Sequence, residues 1–150
     1  MQYKSTDELE QFSFEDAAIA SISYSGNTFI LELDNVTILA DNRHNRDIHD
    51  MRANNVIITF TDASLTKVVA EGYKVYDADN NLKETVEDTP IVPEKYTDFF
   101  KEQENNIIYS IEKISEGCCT ISIDGEYETY FIETTYTHSF VEWDRFLKKE

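Results

Sequence analysis

Residues 105–137 read NNIIYSIEKISEGCCTISIDGEYETYFIETTYT, and their apolar and polar side chains interchange at the period of two that extended chain adopts when one face is buried. In the middle of the run Cys119, Ile121 and Ile123 point one way, while Thr120, Ser122 and Asp124 point the other. The flanking segments 107–114 and 127–136 are rich in Ile, Tyr, Phe and Thr, which fit a pleated surface. Glu116-Gly117 and Asp124-Gly125 supply turn chemistry between them. The stretch therefore predicts three consecutive antiparallel strands.

Just upstream, Thr89-Pro90 and Val92-Pro93 interrupt any strand ladder, because proline has no N–H to donate and biases its predecessor toward extended backbone. Tyr96, Phe99 and Phe100 then fall at i, i+3 and i+4, predicting a helix over 94–104 that stops at Asn105-Asn106. Downstream, Ser139 and Glu142 have capping-box spacing, and Phe140, Trp143 and Leu147 fall at i, i+3 and i+7. This predicts a C-terminal helix with Trp143 as its anchor in the core and Lys148 and Lys149 complementing its dipole.

Farther toward the N-terminus the period of two returns. Ser5 and Glu8 suggest a helical turn with Leu9 and Phe12, after which 18–24 and 29–33 alternate around the turn Ser25-Gly26-Asn27. Val36 to Ala40 continues the meander; Val56, Ile58 and Phe60 face together; and 65–76 is again extended, with a bend at Gly72. Residues 73–86 read as a hairpin with a polar turn at 77–81. The expected fold is a single α+β domain, mainly β, in which an antiparallel meander of about eight strands forms a sandwich or curled sheet with two helices packed on it.

The run FEDAAIASISYSGNTFILELDNV, residues 14–36, resembles the opening of several small bacterial β-rich families, mostly uncharacterised, which often read Phe-His-Asp-x-x-Ile-x-x-Ile before a first hairpin. Phe14, Asp16, Ile19 and Ile22 match, and Glu15 stands where histidine is frequent. Some of those families are suspected immunity proteins of toxin systems. The resemblance thus implies a protein-binding class, and it carries over no site residue.

The 150 residues carry 30 acidic and 13 basic side chains, a formal net charge of −17, which argues against binding nucleic-acid phosphates or an anionic membrane and suits a basic partner. The charge is uneven. Residues 1–40 sum to −6, 41–61 to 0, 62–104 to −6 and 105–150 to −5. The neutral segment DNRHNRDIHDMR, residues 41–52, interrupts the strands; His44, Ile48 and Met51 suit one face of a helical turn there. It gathers Arg43, Arg46 and Arg52 with His44 and His49, and these five are the candidate partner-binding residues, since arginine is favoured at interfaces and loops carry function.

Other chemistry is poorly supported by spacing. Asp41, His44, Asp47, His49 and Asp50 do not match a ligand pair on one face, and the neighbouring arginines oppose a cation, so no metal is expected. Asp77, Asp79, Asn81 and Asp88 mimic positions one, three, five and twelve of a calcium loop, but Leu82 occupies position six, where the turn wants glycine. Adjacent Cys118 and Cys119 leave opposite faces of a strand and read as reduced thiols, with Cys119 in the core. His138 beside Ser139 reads as structural. With no nucleophile elbow, nucleotide-binding glycine loop or cysteine with a motif-placed histidine, no enzyme and no cofactor are expected. The start MQYKSTDELEQ lacks the regions of a signal peptide, and no apolar run is long enough to span a membrane, so a cytoplasmic location is expected. The leading expectation is a non-enzymatic acidic interaction protein of immunity or inhibitor type that binds a basic protein. A small-ligand or glycan-binding β module and a structural homo-oligomer are the alternatives.

Overall fold

The computed structural model describes residues 1–148. Sixteen strands occur among them. The first eight are β1 (Tyr3–Thr6), β2 (Phe12–Ser13), β3 (Ala18–Ser25), β4 (Thr28–Asp34), β5 (Val36–Ile38), β6 (Met51–Ala53), β7 (Val56–Thr61) and β8 (Ser64–Ala70). The rest are β9 (Tyr73–Tyr76), β10 (Leu82–Val86), β11 (Thr89–Pro90), β12 (Ile107–Ser115), β13 (Cys118–Asp124), β14 (Thr129–Thr135), β15 (His138–Trp143) and β16 (Leu147–Lys148). Ten of them form one antiparallel sheet in the order β1-β15-β7-β4-β3-β12-β13-β14-β8-β11, which does not close into a barrel. A second sheet runs β16-β6-β5-β2, and β9 and β10 pair only with each other.

The expected meander forms as β12, β13 and β14, with Cys119, Ile121 and Ile123 fully buried. Gly117 makes its first turn at φ +73°, the left-handed conformation that glycine adopts without a Cβ penalty. β12 shares a single ladder pair with β3, Ile107 with Ala18, flanked by backbone hydrogen bonds such as Ile108 N–H to the Ala17 carbonyl at 2.8 Å, and the ten strands divide there into two halves of five. Both halves feed one hydrophobic core. The single α-helix among the described residues, α1 (Tyr96–Glu102), bridges them: Phe100 meets Phe29 of β4 with ring centres 6.0 Å apart, and Phe99 meets Tyr130 of β14 at 5.4 Å.

β3 shows how the pattern is adjusted. Ile19 and Ile22 are three apart, yet both are buried, because a bulge between Ile19 and Ser21 returns the strand to the same face after an extra residue. β4 and β7 keep a strict alternation, with Phe29, Leu31, Leu33, Ile58 and Phe60 wholly inaccessible to solvent.

Four expectations are corrected. The C-terminal helix is absent: His138–Trp143 is β15, inserted between β1 and β7, with Ser139, Val141 and Trp143 facing inward at a period of two. Ser139 caps nothing, Lys148 lies in β16, and Lys149 falls outside the described residues. The N-terminal turn is a 3-10 turn over Leu9–Gln11 with no side-chain cap, and Ser5 is buried in β1. The segment 41–52 contains no helical turn, and its last residues enter β6. Thr89 and Pro90 do not end the strand system but form an edge strand on β8, an outer position where a missing N–H removes no interior ladder bond.

Candidate functional site

The segment 39–50 is built on asparagine side chains. Buried Asn45 donates its Nδ2 to the carbonyls of Ile38, Leu39 and His49, each at 3.2 Å, and its Oδ1 accepts the Asp47 amide at 2.9 Å. Asn42, more deeply buried, accepts the His44 amide at 3.0 Å and donates to the Gln11 carbonyl at 3.3 Å. These side chains take the backbone partners that a helix would otherwise supply, which is why the apolar spacing of His44, Ile48 and Met51 does not produce a helix.

The five candidate residues are placed differently by this scaffold. Arg43 pairs with Glu8 at 2.8 Å. His44 lies against Trp143, ring centres 5.7 Å apart, and its Nε2 donates to the Lys4 carbonyl at 3.0 Å, which fixes the proton on that nitrogen. Arg52 sits half-buried in β6 between Thr37 and Leu147, with a buried Nε that has no hydrogen-bond partner among the described residues. Arg46 and His49 are exposed, with Ile48 between them 85% exposed. The loop thus presents Arg46, Ile48 and His49 outward, while Arg43 and His44 fasten it to the N-terminal segment.

A cleft of about 200 Å³ opens beside that segment, lined by Asp7, Lys113, Glu116, Tyr136 and His138. The Asp7 carboxylate accepts the His138 Nδ1 proton and the Ser139 amide, each at 2.8 Å, and the Asp7 amide donates to the Ser139 carbonyl at the same distance. Among the described residues no serine, threonine or cysteine is hydrogen-bonded to the His138 ring. The hydrogen bonds of Asp7 join the end of β1 to the start of β15. Desolvation raises the Asp7 pKa, but the Ser139 amide and His138 outweigh it and hold the carboxyl below its ordinary value of 3.8. A depressed carboxylate stabilises the fold above its unfolded-state pKa, and that contribution is lost as pH falls through the folded-state value. Asp7→Asn is expected to cost about 0.5–1 kcal/mol at pH 7, reduced by the exposure of the pair, and less at an acid pH below the ordinary 3.8. Urea melts of both proteins at the two pH values check this; a difference that does not shrink on acidification contradicts it. In the same cleft burial pushes the Tyr136 phenol up to about 12, leaving it a neutral group.

The hairpin of β9 and β10 is the least buried unit. None of its strand residues is buried, and Tyr73, Tyr76 and Leu82 are each more than half exposed. Its turn is held by Asp77, whose Oδ1 accepts the amides of Asp79 and Asn81, both at 2.9 Å, and these amides keep the Asp77 carboxyl below its usual range. The chemistry that mimics a calcium loop thus serves the turn itself. At the root of the hairpin a Cβ on Gly72 would fall on the Val86 carbonyl oxygen, and the Gly72 amide donates to Asp88 Oδ1 at 2.7 Å. Beside the root, the turn after β13 brings up Glu126, Tyr127 and Glu128, forming with Glu71 and Tyr73 a groove of about 310 Å³. Tyr127 is 88% exposed.

No three or more His, Cys, Asp or Glu side chains converge as a metal site among the described residues. Cys119 is buried, and burial first, then neighbouring Cys118, pushes its thiol up to about 12, so it packs as a small apolar side chain. The sequence of 73–86 predicts an ordinary hairpin with a polar turn, and the signal for its exposed tyrosines is the apolar side chains on both strands of a hairpin bounded by Gly72 and Pro90. The sequence has no signal for the Asp7–His138 pair, whose members are 131 positions apart. No family model, curated protein or solved structure matches the chain.

Proposed function

We propose that this chain is a non-enzymatic binding protein whose partner is a basic protein, in the manner of an immunity or inhibitor protein. The observation that carries the reading is the net charge of −17, distributed over every part of the chain except residues 41–61. Such a field accelerates encounter with a positive surface and repels nucleic acid. The loop of 39–50, rigidly hydrogen-bonded and presenting Arg46 and His49, is suited to fix orientation by pairing with partner carboxylates, with Arg43, His44 and Arg52 supporting it from behind. The resemblance of residues 14–36 favours the same class.

The test is to isolate the partner on the intact protein and follow both rate constants as salt is raised through ~0.15 M, where the screening length is about 8 Å. Association is expected to slow markedly and dissociation to change little. A partner without basic excess, or an association rate indifferent to salt, overturns the reading. One feature favours a second reading as a small-ligand or glycan module: a groove of about 430 Å³ between the β3–β4 hairpin and α1, lined by Tyr24, Pro93, Tyr96 and Phe100. A salt-independent affinity lost on Tyr96→Ala would favour it.

A further inference from the structure

We infer that the partner docks on the face formed by the β9–β10 hairpin and the turn 124–128, and that this face takes a lysine- and arginine-rich segment carrying apolar side chains. The inference rests on the proposed basic-partner reading and adds a second contact face, separate from the loop of 39–50. Two-stranded hairpins are marginal in water unless a face is buried, yet this one exposes Tyr73, Tyr76 and Leu82, with Tyr127 beside its root. Both outer edges of the hairpin are open, since β9 and β10 pair only with each other. The Gly72 contact and the Asp77 turn nevertheless give it a defined shape. Tyr73 and Tyr127 line one groove with Glu71, Glu126 and Glu128, and exposed aromatic side chains on a formed scaffold, rimmed by charge, are the composition of an interface rather than of ordinary solvent-facing surface.

Charge decides the occupant. Residues 71–88 carry six carboxylates, Glu71, Asp77, Asp79, Glu84, Glu87 and Asp88, against Lys74 and Lys83, for a net of −4. Asp124, Glu126 and Glu128 add −3 with no cation. A second copy of this chain would bring the same negative face against itself, which like-charge repulsion opposes, and an anionic lipid or nucleic acid meets the same barrier. A basic segment gains on both counts: its ammonium and guanidinium groups meet the carboxylates and the tyrosine faces, while its apolar side chains cover Leu82 and the rings.

The probe is a synthetic peptide of Lys-Lys-Leu repeats, with a Glu-Glu-Leu counterpart, titrated into the full-length isotope-labelled protein at ~0.15 M salt. Amide shifts are expected to cluster on 71–88 and 124–129. The double variant Tyr73→Ser/Tyr127→Ser, whose charge is unchanged and whose replaced side chains lie in solvent, is expected to bind the lysine peptide roughly tenfold more weakly. Tyr109→Ser, at a tyrosine 60% exposed on β12, is expected to bind as the wild type does. Equal affinity of the double variant, or shifts centred on 41–52, overturns this face while leaving the basic-partner reading standing. Failure of the lysine peptide to bind, or equal binding of the glutamate peptide, overturns both. A concentration-dependent dimer whose shifts fall on the hairpin would make a second copy the occupant and overturn the inference.

Discussion

Trp143→Ala is expected to destabilise the protein by about 3–5 kcal/mol, a large share of the ~5–15 kcal/mol that holds a typical domain folded. Trp143 is fully buried at the end of β15, where it stacks on Tyr3 with ring centres 5.5 Å apart and meets Phe12 of β2 edge-on at 5.4 Å. It joins the edge of the ten-stranded sheet to the four-stranded one and also supports the His44 ring. Truncation to alanine removes its partners' contacts and leaves a cavity that a β framework cannot readily close. Its Nε1 has no hydrogen-bond partner among the described residues, so Trp143→Phe removes an unpaired donor along with part of the ring and is expected to cost roughly 1–2 kcal/mol. Urea melts of the two variants check the order; a loss below 1 kcal/mol for alanine would mean that Trp143 does not join the sheets.

The second large effect is expected at Gly72. An added Cβ meets backbone rather than a side chain that can turn away: beyond the Val86 oxygen it lies 2.6 Å from the Glu87 carbonyl carbon and 2.8 Å from the Asp88 nitrogen. The chain at 86–88 must retreat, which pulls Asp88 from the Gly72 amide. Gly72→Ala is therefore expected to cost about 2–3 kcal/mol, concentrated in the hairpin, which has no core of its own to resist opening. Hydrogen exchange should accelerate for 73–86 and remain slow in β4, β7 and β13. Binding of the lysine-rich peptide should fall with it, because Tyr73 loses its fixed position. Unchanged exchange across the hairpin would contradict the account of its root.

Where packing and pairing agree with local pattern, the fold is legible in the residues. Cys119, Ile121 and Ile123 bury as their alternation requires, and Phe99 and Phe100 bury on α1 as helical spacing requires. Residues 138–143 carry two patterns at once: Ser139 with Glu142 imitates a capping box, while Ser139, Val141 and Trp143 alternate as a strand. Open positions between β1 and β7 decide for the strand, and that tertiary fact has no local trace. Residues 41–52 mislead for a different reason, since Asn42 and Asn45 close side-chain turns with the His44 and Asp47 amides and donate to the distant Gln11 and Ile38 carbonyls. At the candidate face the turn at 77–81 can be read from its Asx residues, whereas the groove shared by Tyr73 and Tyr127 depends on the β8–β14 pairing that sets Glu71 against Thr129.

Hydrogen exchange on the complex with its isolated partner reads out whether the proposed basic partner covers the aromatic groove of Tyr73 and Tyr127. Binding is expected to slow exchange in 71–88 and 124–129 at low salt, and the protection is expected to fade as salt rises past ~0.15 M. Protection confined to other parts of the surface, with the hairpin exchanging as fast as in the free protein, would contradict it.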